Sequence, residues 1–182
     1  MAIKMLTTER LDDVEYGIYS HRLGDMWLVG GASNTGGAVL RQFFTDEQMR
    51  KLTPLLKPSE PTGLDYYPLP IQGERFPTND PKLQPHMDPR PDNDAVFFQG
   101  LLEGIARIEA KGYALLGSMG SCPVNRVVTA GGGAANEKWN QIRQAALGVP
   151  VERAMQDDAS YGAALLARQS RQSYERLHSD QR

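Results

Sequence analysis

Apolar and polar positions divide the chain into stretches of different period. In "AVFFQGLLEGIARIEAKGYALLGSMG", Phe97, Leu101, Ile105 and Ile108 recur at helical spacing, and Asn93-Asp94 supplies an N-cap just before them. Gly100 and Gly104 within this helix admit close approach of another backbone. Thr45-Asp46 caps a shorter helix, "EQMRKLTPLL", that ends before Pro54. Upstream, "GIYSHRLGD" reads as a strand entering a turn at Gly24-Asp25. "MWLVGGASNTGGAVLRQFF" then reads as strand, glycine turn and helix, with Ala38, Phe43 and Phe44 apolar on that helix.

The second half alternates. "VNRVVTA" is a short strand, "GGGAAN" a turn, and "EKWNQIRQAAL" a helix with Trp139, Ile142 and Ala146 on one face and Gly148 at its end. "VPVERA" is a second strand, and Asp157 or Asp158 caps a last helix, "ASYGAALLARQ". The polar tail 171–182 is expected to fray, leaving a domain over 1–170. Helix, strand, helix, strand, helix predicts an α/β domain with a parallel pair around the triple glycine. Between Lys57 and Asp92, proline density forbids a long helix, while Tyr66, Tyr67 and Phe76 make an ordered, extended segment with turns the expectation.

Bulk composition narrows the function classes. At 182 residues the chain suits one domain or a little more, with ordinary apolar (40%) and charged (23%) fractions. A net charge of −2 excludes a basic footprint for nucleic acid or an anionic membrane surface. No apolar run reaches the ~18–20 residues a bilayer span needs, and no signal peptide is recognised, so a cytoplasmic protein is expected. The lone cysteine, Cys122, reads as a small structural residue in a reducing compartment.

Candidate chemistry centres on glycine. After a strand, glycine tolerates positive φ and lets a ligand approach bare backbone, and the following helix offers free N–H groups. Asn136 can cap that helix or donate to a ligand hydroxyl. "GASNTGG", Gly31 to Gly37, is no Walker loop, because Gly37 stands where lysine is required. "GGGAAN" leaves three readings open: a tight turn, a mononucleotide held between two glycine turns, or a dinucleotide unit using Gly131, Gly133 and the downstream Glu152. Asp80 and Asp88, beside prolines, read as turn formers, Glu74-Arg75 as a structural or interface ion pair, and His86 to Asp88 as too sparse for a metal site.

Three motifs in order resemble the C-terminal domain of the FGGY carbohydrate kinases over residues 20–170. "LVGGASNTGGAVL" resembles the family's glycine-led nucleotide segment. "GERFPTNDP" resembles the "GER-x-P" signature of the xylulose- and ribulose-kinase branch. "TAGGGAANEKWNQIRQAALGVPVERAMQDDASYGAALLA" resembles the adenosine motif with its following strand and small-residue helix. The whole looks most similar to the cyanobacterial and plant ribulose-kinase group.

The resemblance implies an actin-like, ribonuclease-H-like α/β domain that binds ATP with Mg²⁺ across a cleft from a sugar-binding N-terminal domain. Carried over by position, Gly31 and Thr35 would border the nucleotide, Gly132 and Asn136 would contact adenosine, and Gly131, Gly133 and Ala134 would shape the wall. The catalytic base is expected on the N-terminal domain, so no catalytic residue and no protein metal ligand is assigned here. The family's second phosphate motif, a Gly-Thr turn between two strands, would precede "MAIKML". That segment is therefore expected to be frayed or paired with another chain, and self-association or a separate N-terminal kinase half is the expected partner. The isolated chain is expected to bind ATP or ADP weakly and not to phosphorylate sugar. A dinucleotide-binding domain and a non-catalytic partner-binding remnant are the alternatives.

Overall fold

The computed structural model describes residues 1–120 and 123–179, with side chains described to Gln169. The Cys122 reading lies outside the described residues.

Three strands form an antiparallel sheet: β1 (Ala2–Thr7), β2 (Tyr19–Leu23) and β3 (Met26–Ala32), in the order β1-β3-β2. β1 pairs with β3 over its whole length, Ala2 opposite Ala32 and Thr7 opposite Trp27. This corrects the expectation that the first segment would fray or need another chain to pair with. Its inner edge is held by β3, and only the outer edge is uncovered. Ile3, Met5, Ile18 and Val29 bury one face of this sheet with Phe76 and Leu116.

After β3 the chain enters α1 (Gly37–Leu40), which is shorter than the pattern predicted. Phe43 and Phe44 leave the helix to meet the long helix: Phe43 lies edge-on to Phe97 at 5.1 Å and Phe44 to Phe98 at 5.5 Å. Aromatic burial outweighs one further turn of helix. α2 (Asp46–Leu52) starts with a reciprocal capping box between Thr45 and Gln48. The proline-rich stretch that follows is ordered and extended. Tyr66, Leu69 and Phe76 are buried in it, and isolated bridges join Tyr67 to His86 and Glu74 to Asp80.

α3 (Asp94–Ser118) is the spine, capped by Asn93 through the amides of Ala95 and Val96. Three of its glycines face packed chain. A Cβ on Gly100 would stand 2.8 Å from Leu64 Cδ1, one on Gly104 would stand 2.7 Å from Tyr66 O, and one on Gly112 would stand 2.7 Å from Ile3 Cδ1. The proline-rich segment and β1 thus lie directly on bare helix backbone. Buried Gln99 and Glu103 turn from the same helix to the loop before Leu64. Gln99 binds both the amide and the carbonyl of Lys57, and the Glu103 carboxylate accepts from Thr62 Oγ1 at 2.5 Å.

The remaining elements are β4 (Val127–Thr129), α4 (Glu137–Leu147), β5 (Val151–Arg153) and α5 (Ala159–Ser179). β4 and β5 pair in parallel, as the glycine-centred pattern predicted, and Gly148 ends α4 at φ 69°. α5 is longer than expected, running through Ser179 where a frayed tail was predicted. The tail holds Gln, Arg, Glu and Leu without a helix breaker, so local propensity carries the helix onward. Along 159–169 only Leu165 is even half-buried.

The glycines of α3 separate into packed and free. Gly104→Ala should destabilise the domain by about 1–3 kcal/mol, because backbone blocks the methyl. Gly117→Ala, with nothing within 4 Å of the new Cβ, should stabilise it by up to ~1 kcal/mol. Urea unfolding midpoints check both.

Candidate functional site

A cleft of about 990 Å³ opens between the two glycine turns. One wall is Asn34 to Ala38 with the start of α2, the other is β4 and the turn after it, and α3 contributes Phe98, Leu102, Glu109 and Tyr113.

The first wall is built by hydrogen bonds to the proline-rich segment. Glu74 is 2% exposed. Its carboxylate accepts from Ser33 Oγ at 2.6 Å and from the Asn34 amide at 2.7 Å. Tyr67 adds its hydroxyl at 3.4 Å. Burial, the largest influence, pushes that phenol up to about 12, so it remains a neutral donor. The Arg75 guanidinium forms no ion pair with Glu74 among the described residues; its backbone amide donates to Glu74 Oε1 at 2.9 Å, and its Nε donates to Asn34 Oδ1 at 2.9 Å. The expected Glu74-Arg75 ion pair is thereby corrected: Asn34 joins the two residues. Thr35 is buried and its hydroxyl donates to Pro68 O at 2.5 Å. It borders the cleft with its side chain committed to the scaffold. Gly31 sits behind this wall, where a Cβ would stand 2.5 Å from the Phe76 ring, and the lining does not include it.

The second wall begins at Gly131, whose φ of 89° requires glycine. Residues Gly132 to Ala135 make a short 3-10 turn before α4. Gly131 and Gly132 have open space where a Cβ would be, while Gly133 has none: its Cβ would lie 2.2 Å from Trp139 Cζ3. Ala134 is buried and its carbonyl accepts from Asn140 Nδ2 at 2.9 Å. Asn136 performs two tasks. Its Oδ1 caps α4 through the Trp139 amide at 3.0 Å, and its Nδ2 donates to Thr53 Oγ1 at 3.2 Å. That second bond reaches the end of α2 and ties the two walls together. Gly132, Gly133, Ala134 and Asn136 line the cleft; Gly131 does not.

Sequence reasoning missed the ion pair that locates this wall. Arg143 of α4 grips Glu109 of α3 through two bonds of 2.7 Å, with side chains only 8% and 4% exposed. Each residue reads alone as an ordinary helix-surface charge, so the pairing is legible only in three dimensions. Tyr113 lies beside it, and burial first, then the Glu109 carboxylate, push its phenol up to about 12. The carboxylates Glu74, Asp80 and Asp88 are not in the lining. Asp80 Oδ1 organises its own turn by accepting from the Lys82 amide at 2.8 Å. Glu152, the acid of the dinucleotide reading, is on β5 facing Arg126 at 3.7 Å and does not line the cleft. Among the described residues no group of three or more His, Cys, Asp or Glu is placed to hold a metal, and no helix is long and apolar enough to cross a membrane.

Residues 5–170 match the FGGY family of carbohydrate kinases, C-terminal domain, and the chain belongs to that family. Among solved structures, it is similar to the xyloylose kinase from Brucella ovis at 23% identity and a TM-score of 0.75, covering 90% of this chain and 35% of that one. It is also similar to two kinases from Lactobacillus acidophilus. For the ligand-bound xylulose kinase the identity is 20%, the TM-score 0.72 and the coverage 92% and 36%. For the gluconate kinase they are 19%, 0.73, and 92% and 36%. The fold is therefore the actin-like, ribonuclease-H-like α/β fold of this domain, and the chain spans about a third of the length of these kinases.

Arg143→Met should lower stability by about 3–5 kcal/mol by stranding the buried Glu109 carboxylate. Adding Glu109→Leu should restore most of the loss, since no charge is then left unpaired. A double-mutant cycle by chemical denaturation reads both.

Proposed function

We propose that this chain is the nucleotide-binding portion of an ATP-dependent kinase for a pentulose-type sugar, D-ribulose or D-xylulose. The observation that carries the reading is the facing of two glycine turns across one cleft, with Gly132 open and Asn136 at its rim. The adenosine of ATP lies against Gly132, Gly133 and Ala134, and the phosphates run toward Thr35 and Gly36. The α4 start favours a nucleoside over phosphates at that end. Glu137 occupies its first turn and Asn136 already caps it, which makes the usual helix-terminus anion site unattractive to a pyrophosphate.

Mg²⁺ enters with the nucleotide, since this metal is commonly held by a few carboxylates and the phosphates themselves. The two cleft carboxylates Asp46 and Glu109 are engaged by Arg41 and Arg143. Phosphoryl transfer depends on positioning, charge neutralisation and a base at the sugar hydroxyl. This region supplies the nucleotide wall, and the base and the sugar site come from an N-terminal kinase domain. In this reading the protein works in the cytoplasm, and without that domain it holds ATP or ADP weakly and turns over no sugar.

Titration calorimetry with ATP and with NADH, on the wild type and on Gly132→Val, tests the reading. ATP binding that the valine abolishes is expected, because the new side chain fills the open wall. Preference for NADH would select the dinucleotide alternative. Binding of neither ligand would leave a non-catalytic partner-binding domain.

A further inference from the structure

Charged side chains in the cleft are paired off, with one exception. Arg41 bonds Asp46 at 3.0 Å, and Arg143 grips Glu109 at 2.7 Å. Arg50 lines the same cleft, and its exposed side chain has no hydrogen bond or ion pair among the described residues. Asp46, four residues earlier on α2 and so the natural helical partner for Arg50, is taken by Arg41 instead.

The fold places this free guanidinium at one end of the cleft. The stripe of α2 that lines it is Asp46, Met49, Arg50 and Thr53, the spacing of a single helix face. The end of that stripe is fixed, because Thr53 Oγ1 accepts from Asn136 Nδ2 at 3.2 Å and donates to Met49 O at 2.8 Å. Arg50, one turn before Thr53, therefore stands toward Asn136, whereas Arg41 closes α1 on the side of Gly36 and Gly37. Across the cleft, Gly132 presents bare backbone and open space. The polar side chains nearby are committed: Asn136 to the Trp139 amide and Thr53, Asn140 to Ala134 O and Arg143. A flat ring entering here meets peptide backbone on one side and a guanidinium on the other, with little left to bond its edge.

We propose that Arg50 selects the base of the nucleotide: its guanidinium lies on the face of a purine and holds it against the bare turn at Gly132. The inference rests on the nucleotide reading of the cleft and adds to it the residue that sets base class. A guanidinium is planar and weakly hydrated, and it stacks on aromatic faces where an ammonium remains a hydrated point charge. The two fused rings of a purine offer more face than the single ring of a pyrimidine, so purine nucleosides are preferred. Contact is with the base and not with the phosphates, which run toward Thr35 and Gly36.

The test uses the full chain with adenosine, cytidine, ADP and ATP, followed by NMR titration. The Arg50 side-chain signals should move upfield as adenosine saturates, the ring-current mark of a group over an aromatic face. Arg50→Ala should weaken adenosine, ADP and ATP by the same factor, about twofold to thirtyfold, and narrow the preference for adenosine over cytidine. The fold tolerates this change, since the side chain is unpaired and alanine favours helix. Arg50→Lys keeps the charge without the plane and should stay nearer the alanine variant than the wild type. A loss seen with ADP and ATP but not with adenosine would make Arg50 a phosphate contact and overturn the proposal. So would a lysine variant equal to the wild type, or an unchanged base preference in the alanine variant. Wild-type ATP binding that Arg50→Ala leaves intact would sink this inference alone. Failure of the wild type to bind any of the four would remove the nucleotide reading and the inference with it.

Discussion

The ion pair between Glu109 and Arg143 fixes where the second glycine turn stands. Two bonds of 2.7 Å between nearly dry side chains leave α4 little freedom against α3. Desolvation offsets much of the attraction in such a pair, so its net contribution to stability is modest, but losing one partner is costly. Its geometric consequence is larger. Asn136, one residue before α4, is carried to Thr53, and the cleft acquires its width from that contact. Trp139, on the same helix, packs on Gly133 so closely that no side chain fits there. The wall is thus shaped from behind by α4 and left bare in front.

The opposite wall is set by a different device. Buried Glu74 acts as an acceptor hub that folds the turn after β3 onto the proline-rich segment, with Ser33, Asn34 and Tyr67 converging on it. Phe76, two residues on, fills the space that Gly31 and Gly112 leave open. One short stretch, Glu74 to Phe76, therefore joins the sheet, the spine helix and the first glycine turn. In an otherwise irregular segment this is a dense concentration of structural roles. It also explains why Glu74 is placed to hold backbone rather than to take a proton from a substrate.

Local signals were legible where local physics decides. Asn93, Thr45 and Gly148 cap helices through bonds within a few residues, and the sequence pattern placed all three, while the reciprocal bond from Gln48 to Thr45 emerged only in the structure. The parallel pair around the triple glycine followed from the alternation of elements. The FGGY membership was readable from three spaced motifs. What escaped the sequence depends on long separations. The Glu109–Arg143 and Gln99–Lys57 contacts span 34 and 42 positions, and nothing in either segment announces its partner. Gly31 was expected to border the nucleotide because bare backbone serves ligands and neighbouring side chains alike; the structure puts Phe76 against it, outside the cleft lining. The helical tail was misjudged because polarity was read as disorder, although its residues are sound helix formers.

The central claim is that the two glycine turns form opposite walls of a single nucleotide site. Amide exchange of the wild-type chain with and without ATP addresses it most directly. The account predicts slowed exchange in both walls at once, at Thr35 to Gly37 and at Gly132 to Asn136. Protection confined to one wall, or found only outside the cleft, would contradict it.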